Sequence, residues 1–433
     1  MRKIKIIIVK LASTLLKLIG KGGSFPGTIW LKLDPTVLNY IEYPKTIILV
    51  TGTNGKTSTT NLIYQMMKQV EPSTICNDKG DNMLIGIATL ILNNITIGLK
   101  IKSKAMVLEV DELNVPKVMK YLSVTHIVVL NFFRDQLDRS GEMENIINKF
   151  ENCFKDYKGQ LILNAYDPNV IRLAKSAPEA KITSFAIQDK QQNRTNINEA
   201  KEGRFCPICN ADLNYEYYQY AHIGKFSCPN CGFAKEQPNI IVYKNNDNII
   251  YNNIEYKVFN TSMYAIYNYT ALIALATILN IDINIIKDII LNFSINKGRN
   301  ESFKHNNHEV ILNLVKNPTG ANEVLKEIAK DNRPKHIVFI LNDYPNDGED
   351  ISWIYDAKFE YILNDNTLDF TCSGTRAYDL ALRLSYANFT SININLDYKQ
   401  AIEALNDKDE VVYVCSTYSN LVKVRTYLKR NEL

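Results

Sequence analysis

The chain has 433 residues, of which 46% are hydrophobic and 22% are charged, as in an ordinary globular protein. At about 150 residues per domain, this length predicts roughly three domains, each able to bury a core without disulfides. The net charge of +4 is too small to indicate a nucleic-acid-binding protein. No run approaches the roughly 18 apolar residues that predict a membrane-spanning helix.

The N-terminal segment Met1–Gly20 alternates apolar residues with the basic residues Arg2, Lys3, Lys5, Lys10 and Lys17. Lys21 and two glycines follow it, instead of the small-residue cleavage site of a signal peptide. Two interpretations remain open at this point. The segment is either a helix packed on the first domain or a basic amphipathic helix on an anionic membrane surface.

A glycine-rich loop follows the first predicted strand, Ile47–Val50. Gly52 and Gly55 allow a tight turn whose backbone N–H groups can converge on phosphate oxygens. The next segment, Ser58–Lys68, has helical spacing of its apolar residues, so phosphates would lie at a helix N-terminus. Val50 stands where the general pattern of such loops has a glycine.

Two side chains of this loop carry chemistry. Lys56 is expected to be a mobile, solvated charge for the β- and γ-phosphates, and the Thr57 hydroxyl can ligate Mg²⁺. We therefore predict an ATP site formed by Gly52, Thr53, Asn54, Gly55, Lys56, Thr57 and Ser58.

Further short apolar strands alternate with helical stretches such as Met143–Phe154. The strands are predicted at Ala105–Val110, Ile127–Leu130 and Gln160–Leu163. This alternation predicts a mostly parallel, doubly wound sheet, in which ligands bind at the carboxyl ends of the strands.

Charged residues follow two of these strands. Glu109 lies at the end of the predicted strand Ala105–Val110, where a carboxylate could hold a hydrated Mg²⁺ that bridges ATP and an acceptor carboxylate. Asp111 or Glu112 would instead cap a helix or lie in solvent. After the predicted strand Ile127–Leu130 come four charged residues that form either a surface salt-bridge cluster or part of a site, namely Arg134, Asp135, Asp138 and Arg139.

Four of the eight cysteines have the spacing of a metal site. Cys206 and Cys209 form one C-x2-C pair, and Cys228 and Cys231 form a second pair 18 residues further on. Four thiolates at this spacing bind Zn²⁺ in a tetrahedron. Tyrosine-rich strands between the pairs predict a zinc ribbon, inserted at about residues 201–236. Reduced thiolates beside an ATP site indicate a cytoplasmic protein.

The remaining elements predict a second, smaller α/β domain. Hairpin strands surround Asn245–Asn248, a helix covers Ser262–Leu279, and Gly298-Arg299 marks a boundary. A βα pattern then restarts, with strands at Val310–Leu314, at His336–Leu341, around Ile362 and at Val411–Val414, and a helix at Ala321–Lys330. We predict an N-terminal helical segment (1–45), a central ATP-binding domain (46–300) and a C-terminal domain (301–433).

Several motifs, in order and spacing, resemble the Mur ligase superfamily over essentially the whole chain. They are Gly52-Thr-Asn-Gly-Lys-Thr57, Leu108-Glu109-Val-Asp111-Glu112, Asn131…Asp135-Gln136-Leu-Asp138, Tyr267-Asn268 and Gly298-Arg299. Within that superfamily the chain resembles the MurT-type ligase subunits of lipid II isoglutaminyl synthase. The inserted ribbon, the C-terminal segments at Asp350-Ile-Ser-Trp353 and Ser373-Gly-Thr-Arg376, and Gln136 in place of a metal-binding His support this narrower match.

The resemblance implies a Mur-ligase-like fold and ATP-dependent amidation of the α-carboxylate of D-glutamate in lipid II. The carboxylate would become an acyl phosphate, and the product would be D-isoglutamine. Ammonia would come from a separate GatD-type glutaminase subunit, and lipid II would be met at the inner membrane face. The implied cofactors are ATP, Mg²⁺ and Zn²⁺, with no nucleic acid as partner.

The resemblance also implies roles for three further residues. Asn268 would contact the adenine, and Arg299 would contact the nucleotide. Asp350, with Asp347 as a less favoured substitute, would reach the partner glutaminase and orient its catalytic His. What replaces the missing His at Gln136 stays open.

Two other functions remain as alternatives. One is a Mur-like or folylpolyglutamate-type ligase that adds an amino acid, which Gln136 and the ribbon disfavour. The other is a non-catalytic zinc-ribbon adaptor that uses ATP as a switch. The ribbon has few basic residues beside many tyrosines, so binding to a phosphate backbone has only weak support.

Overall fold

The structure, a computed structural model, describes residues 2–18, 23–77, 81–134, 143–189, 202–293, 300–305, 308–363, 367–404 and 411–431. These residues form two compact units, the first ending at Phe293 and the second containing the residues from 300 onward. The predicted boundary at Gly298-Arg299 lies outside the described residues, as do Asp135, Gln136, Asp138 and Arg139.

The first unit is built on a large sheet with the strand order β11-β10-β9-β6-β5-β4-β1-β3-β2. Its strands are β1 (Thr46–Thr51), β2 (Ile75–Cys76), β3 (Ala105–Glu109), β4 (His126–Val129), β5 (Gln160–Asn164), β6 (Lys181–Asp189), β9 (Ile240–Asn245), β10 (Asn248–Tyr251) and β11 (Ile254–Lys257). The strands from β2 to β9 in this order pair in parallel, whereas β9, β10 and β11 form antiparallel hairpins. The prediction of a mostly parallel sheet is confirmed.

The helices of this unit are α1 (Arg2–Leu18), α2 (Phe25–Leu33), α3 (Lys56–Val70), α4 (Leu84–Asn94), α5 (Val115–Met119), α6 (Met143–Phe154), α7 (Pro168–Ile171), α8 (Met263–Ile278) and α9 (Ile283–Asn292). Helix α8 is rich in Ala, Leu and Ile and is buried along nearly its whole length. An all-round apolar helix of this kind belongs inside a core. Ile6 and Val9 of α1 and Trp30 of α2 pack in one core with the central strands.

Between β6 and β9 lies the ribbon, which we define as residues 202–236. It contains the antiparallel hairpin of β7 (Asn214–Tyr220) and β8 (Ile223–Ser227), flanked by the two cysteine pairs. A small core of its own includes Leu213, Phe226 and Phe233. The tyrosine-rich strands predicted between the cysteine pairs are therefore present.

The second unit has a sheet with the order β12-β13-β17-β14-β15-β16. Its strands are β12 (Glu301–His305), β13 (His308–Leu314), β14 (Lys335–Ile340), β15 (Thr367–Ser373), β16 (Ile392–Ile394) and β17 (Val411–Ser416), and its helices are α10 (Pro318–Lys330), α11 (Ala377–Tyr386), α12 (Tyr398–Glu403) and α13 (Tyr418–Arg430). From β13 onward the strands are parallel. The sheet separates two apolar clusters, one with α10 and α11 and the other with α12 and α13, as in a doubly wound domain.

One predicted strand is wrong. The apolar run around Ile362 forms a 3-10 helix, Phe359–Ile362, and the next strand begins only at Thr367. Phe359 and Ile362 are both fully buried in the core beside α10. A four-residue apolar run can be buried equally well by a strand or by a helical turn, so its pattern does not separate the two.

Among the described residues, no helix combines the length and the apolar character that crossing a membrane requires.

Candidate active site

The glycine-rich loop lies at the carboxyl end of β1, a buried strand flanked by β3 and β4. Val50 is inside this strand, so the loop begins only after the position that a glycine occupies in the general pattern. Gly52 and Gly55 have φ angles of 131° and 87°, a region that favours glycine. A Cβ atom on Gly55 would also lie 2.5 Å from Asn268 Oδ1. Gly55 precedes α3 without a side-chain cap, so the first N–H groups of this helix can bind an anion.

Asn131, after β4, fixes the shape of this loop. Its side chain and the backbone of Asn54 exchange two hydrogen bonds, of 2.8 and 3.0 Å. The N–H of Thr53 donates to the Asn131 carbonyl (3.0 Å), and the N–H of Phe133 donates to the Thr53 hydroxyl (3.0 Å). The loop is therefore held in place before any nucleotide binds. Sequence reasoning quoted Asn131 within a motif but assigned it no role.

Lys56 is held by its own loop and by Glu112. Its Nζ donates to the carbonyl of Gly52 (2.6 Å) and to Glu112 Oε2 (3.0 Å), and the residue is only 8% exposed. Burial would lower the pKa of Lys56, but the neighbouring carboxylates, with Glu112 first, outweigh it and raise that pKa. The expectation of a solvated lysine is wrong, and Glu112 is its partner rather than a solvated charge. Asp111 caps the short turn after β3 by accepting from the Leu113 N–H.

One carboxylate oxygen of Glu109 is open, in the sense that no described residue hydrogen-bonds to it. Its Oε1 accepts from the Thr57 hydroxyl (3.2 Å) and from Asn82 Nδ2 (3.2 Å). Its Oε2 is buried and has no hydrogen-bond partner among the described residues, a costly arrangement unless a cation binds there. Asn77 fixes the backbone of Glu109 through two hydrogen bonds of 2.8 Å. A hydroxyl beside a buried carboxylate oxygen fits Mg²⁺, for which Thr57 and Glu109 are the candidate ligands.

Asn268 lies on α8 at the foot of the loop. It is 4% exposed, and its Oδ1 accepts from the Thr59 hydroxyl (3.1 Å). Its Nδ2 is buried, with no hydrogen-bond partner in the part of the chain that the structure describes. The structure thus brings Asn268 to the start of α3, close to Gly55. Its contact with adenine stays a prediction. Arg299 lies outside the described residues.

The four predicted metal-binding cysteines converge in the ribbon. The Sγ atoms of Cys206, Cys209, Cys228 and Cys231 all lie within 4.8 Å of one another. The Sγ atoms of Cys206 and Cys231 are 3.6 Å apart, and those of Cys209 and Cys228 are 3.5 Å apart. A tetrahedron with Zn–S bonds of about 2.3 Å requires S–S separations of roughly 3.8 Å, so the four thiols fit zinc.

The two cysteine pairs have matching turns. Asn210 and Gly232, each next after a C-x2-C pair, have φ angles of 60° and 70°. The N–H of Ile208 points at Cys206 Sγ (3.5 Å), and the N–H of Cys231 points at Cys228 Sγ (3.4 Å). Such N–H contacts stabilise thiolate ligands.

The tip of the ribbon hairpin is inserted into the body of the first unit. Gln219 of β7 is buried, donates to the Ile187 carbonyl (2.8 Å) and accepts from the hydroxyl of Tyr267, the neighbour of Asn268 on α8. The hairpin therefore contacts the helix that supports the nucleotide loop.

His222, which follows β7, makes a second contact of this kind. It is fully buried, with Nε2 3.3 Å from Asp167 Oδ1, and Asp167 accepts from the Phe132 N–H (2.9 Å). Burial would lower the pKa of His222, but the charge of Asp167 outweighs it and raises that pKa. Sequence reasoning missed this pair because its members are far apart in the chain and belong to no motif.

We expect Cys228→Ser to lose bound zinc and to lower the melting temperature, because structural zinc stabilises small sites by about 10 kcal/mol. Cys153→Ser, which changes a half-buried cysteine outside the ribbon, is the matched control and should keep the metal. Metal analysis of protein purified without chelator should give one zinc per chain for the wild type. Zinc-free wild-type protein would contradict the assignment.

Asp350 and Asp347 follow β14 in the second unit. Asp347 is 3% exposed and accepts from the Ser419 N–H (2.7 Å), so it is a structural residue. Asp350 is half-buried and accepts from the Ser352 N–H (2.8 Å). Hydrogen bonds from the Ser352 backbone and hydroxyl lower the pKa of Asp350, which keeps it ionised. Of the two, Asp350 is the one a partner could reach.

Comparison with known proteins defines the class to which this fold and loop belong. Residues 50–236 match the family model of the Mur ligase middle domain. A pseudomurein peptide ligase type C from Methanothermus fervidus has the same fold, with a TM-score of 0.70 and 21% identity over 92% of this chain and 80% of its own. The molecule therefore has a Mur-ligase-like α/β fold.

Several curated relatives match nearly the whole chain. The lipid II isoglutaminyl synthase (glutamine-hydrolyzing) subunit MurT of Staphylococcus aureus (strain N315) is 32% identical over 98% of this chain and 97% of its own length. The subunit of the same name from Streptococcus pneumoniae (strain ATCC BAA-255 / R6) is 29% identical over 96% and 94%. Residues 314–421 also match the MurT ligase C-terminal model. The chain belongs to the MurT family.

Proposed function

We propose that this chain is the ATP-consuming ligase subunit that amidates the α-carboxylate of D-glutamate in the stem peptide of lipid II. The product would be D-isoglutamine, with ammonia delivered by a separate GatD-type glutaminase. The observation that carries the proposal is similarity over nearly the full length to subunits named for this reaction. The loop, the open Glu109 oxygen and the C-terminal match all agree with it.

The reaction would proceed in two displacements. An oxygen of the substrate carboxylate attacks the γ-phosphorus of ATP, and ADP leaves with the bridging oxygen. Ammonia then attacks the carbonyl carbon of the acyl phosphate, inorganic phosphate leaves, and the nitrogen loses a proton to give the amide. The protein contributes position and charge rather than covalent chemistry.

The residues of the loop would stabilise the phosphoryl group during transfer. The N–H groups of the loop and the Nζ of Lys56 would donate to the phosphate oxygens, whose charge redistributes as the γ-phosphoryl group is transferred. Thr57 and Glu109 would hold Mg²⁺, which neutralises charge on the phosphates when bound. The amine of Lys56 is already hydrogen-bonded to loop carbonyls and to Glu112. A bound nucleotide must therefore replace these acceptors or share the amine with them.

A separate glutaminase is supported by the environment of the histidines. A class I glutaminase needs a Cys nucleophile beside a His base. The buried histidines of the second unit contact oxygen instead, with His305 at 3.1 Å from Glu403 and His336 at 2.8 Å from the Thr371 hydroxyl. These contacts favour ammonia from another chain. We propose that the chain acts at the cytoplasmic face of the membrane, where it would meet a lipid-linked substrate.

The direct test is ADP release by the purified chain with lipid II and ammonium, with the product identified by mass spectrometry. We expect ADP release to require both compounds, and added GatD-type subunit to replace ammonium by glutamine. ADP release that requires an amino acid acceptor would indicate an amino-acid-adding ligase. ATP binding without turnover under every condition would indicate the adaptor function.

We expect Glu109→Gln to raise the Mg²⁺ concentration needed for half-maximal ammonium-driven turnover by about tenfold or more. The amide keeps the contacts with Thr57 and Asn82 but removes the charge that would hold the ion. A Mg²⁺ titration of turnover measures the shift. The control is Glu71→Gln, at a surface carboxylate beside Ser73, which should leave the Mg²⁺ titration unchanged. If Glu109→Gln also leaves the titration unchanged, Glu109 is not a ligand of the metal.

A further inference from the structure

Helix α1 is attached to the first unit by one face. Ile6, Val9 and Ser13 on that face are buried. Polar contacts reinforce the attachment, since Lys5 Nζ donates to the Leu33 carbonyl (2.7 Å) and Lys10 Nζ donates to the Ile95 carbonyl. The helix is therefore packed on the domain, which is the first of the two sequence interpretations. These contacts also fix which face of the helix points away from the domain.

The opposite face of α1 is also apolar. Five large aliphatic side chains on it are exposed, namely Ile4 (63%), Ile7 (41%), Ile8 (55%), Leu11 (63%) and Leu15 (65%). At 100° per residue they occupy an arc about 100° wide, opposite the buried face. They extend over roughly 16 Å of helix at 1.5 Å per residue. A packed surface helix normally has polar residues on its outer face, so this stripe indicates an interaction surface.

The charge of the helix points to the kind of partner. Residues 2–18 contain Arg2, Lys3, Lys5, Lys10 and Lys17, and no Asp or Glu. Lys3 is exposed and lies next to the stripe on the helical wheel. The other described basic side chains of α1 contact the domain, since Arg2 pairs with Asp34 (3.2 Å) and the amines of Lys5 and Lys10 donate to backbone carbonyls. A protein partner would be expected to meet an apolar stripe with a defined apolar counterpart. An apolar stripe that is bordered by the exposed Lys3, on a helix without acidic residues, matches an anionic bilayer surface, where aliphatic side chains enter the headgroup boundary and a lysine meets lipid phosphates.

We propose that α1 docks the protein on an anionic membrane surface, with the stripe Ile4, Ile7, Ile8, Leu11 and Leu15 inserted at the interface. The helix lies in the plane of the surface and does not span the bilayer. This binding is independent of the proposed reaction, because it uses no residue of the nucleotide loop and requires no substrate in the membrane.

The test is cosedimentation of the full chain with vesicles that contain no lipid II. We expect binding to equimolar phosphatidylglycerol–phosphatidylcholine vesicles, at least tenfold weaker binding to pure phosphatidylcholine vesicles, and a further loss at high salt. The double variant Leu11→Asp/Leu15→Asp should reduce binding to the anionic vesicles at least tenfold. The matched control is Leu382→Asp/Val422→Asp, which makes the same charge change at aliphatic side chains that are 50% and 62% exposed in the second unit.

A second measurement keeps the test valid if the double variant is poorly folded. Leu11→Trp places a fluorophore on the stripe, and its emission should shift to shorter wavelength only when anionic vesicles are added. No shift, or wild-type binding by Leu11→Asp/Leu15→Asp, would overturn the proposal. Absence of vesicle binding, together with self-association that Leu11→Asp/Leu15→Asp abolishes, would assign the stripe to a second copy of the chain instead.

Discussion

Replacing Lys56 with alanine should reduce ATP-dependent amidation of lipid II at least about 10²–10³-fold, even with ammonium as nitrogen donor. Loss of one fixed donor to a charged transition state typically costs that much. Ammonium is the appropriate donor because it makes the assay independent of the glutaminase subunit. ADP formation and amidated lipid II are the two quantities to measure. Near-normal turnover would remove Lys56 from the phosphate site.

The structure shows why the alanine variant alone is ambiguous. Lys56 is the hydrogen-bonded partner of the buried Glu112, so Lys56→Ala leaves a buried carboxylate without its counter-charge, which costs stability. Lys56→Ala/Glu112→Gln removes that charge. We expect the double variant to regain a wild-type melting temperature but no activity. Recovery of activity together with stability would mean that Lys56 only balances Glu112.

Asp350→Asn should reduce glutamine-dependent amidation strongly, by about 10²–10⁴-fold, while largely sparing amidation driven by ammonium. The upper value is the cost of replacing a triad aspartate by asparagine, which leaves the catalytic His in the wrong tautomer. The measurement compares both nitrogen donors in the presence of the GatD-type subunit. Complex formation, followed by size-exclusion chromatography, should survive.

Glu349→Gln is the matched control, because it removes one carboxylate from the adjacent position of the same loop. We expect it to retain both activities. Equal loss with both nitrogen donors in Asp350→Asn would place Asp350 in the ligase reaction instead. Full activity with both donors would show that its function is confined to the hydrogen bonds with Ser352.

Features that depend only on residues close together in the sequence could be predicted. The turn at Gly52–Gly55 and the two C-x2-C pairs owe their geometry to the residues that compose them. The alternation of short apolar strands with helices was likewise enough to predict a parallel sheet. The open oxygen of Glu109 was not visible in the sequence, but its position at a strand end was.

Contacts between distant segments could not be predicted. Asn131 fixes Asn54 across 77 positions of the chain, and Gln219 meets Tyr267 across 48. Their polar side chains are ordinary in composition and acquire a function only when the sheet brings them together. The burial of Lys56 was missed for the same reason, since it depends on Glu112, 56 positions away.

The inserted hairpin limits how far this chain could be shortened. An insertion in a surface loop can usually be deleted and replaced by a short linker. Here the deletion would take the acceptor Gln219 from the Tyr267 hydroxyl and the imidazole of His222 from Asp167, which would keep only its backbone hydrogen bonds from Phe132, Asn169 and Val170. A buried hydroxyl that loses its acceptor costs about 1–3 kcal/mol, and the loss of the neighbouring imidazole adds to this cost at Asp167. A minimal version of the enzyme would therefore have to retain β7 and β8, even if another fold could replace the cysteine pairs.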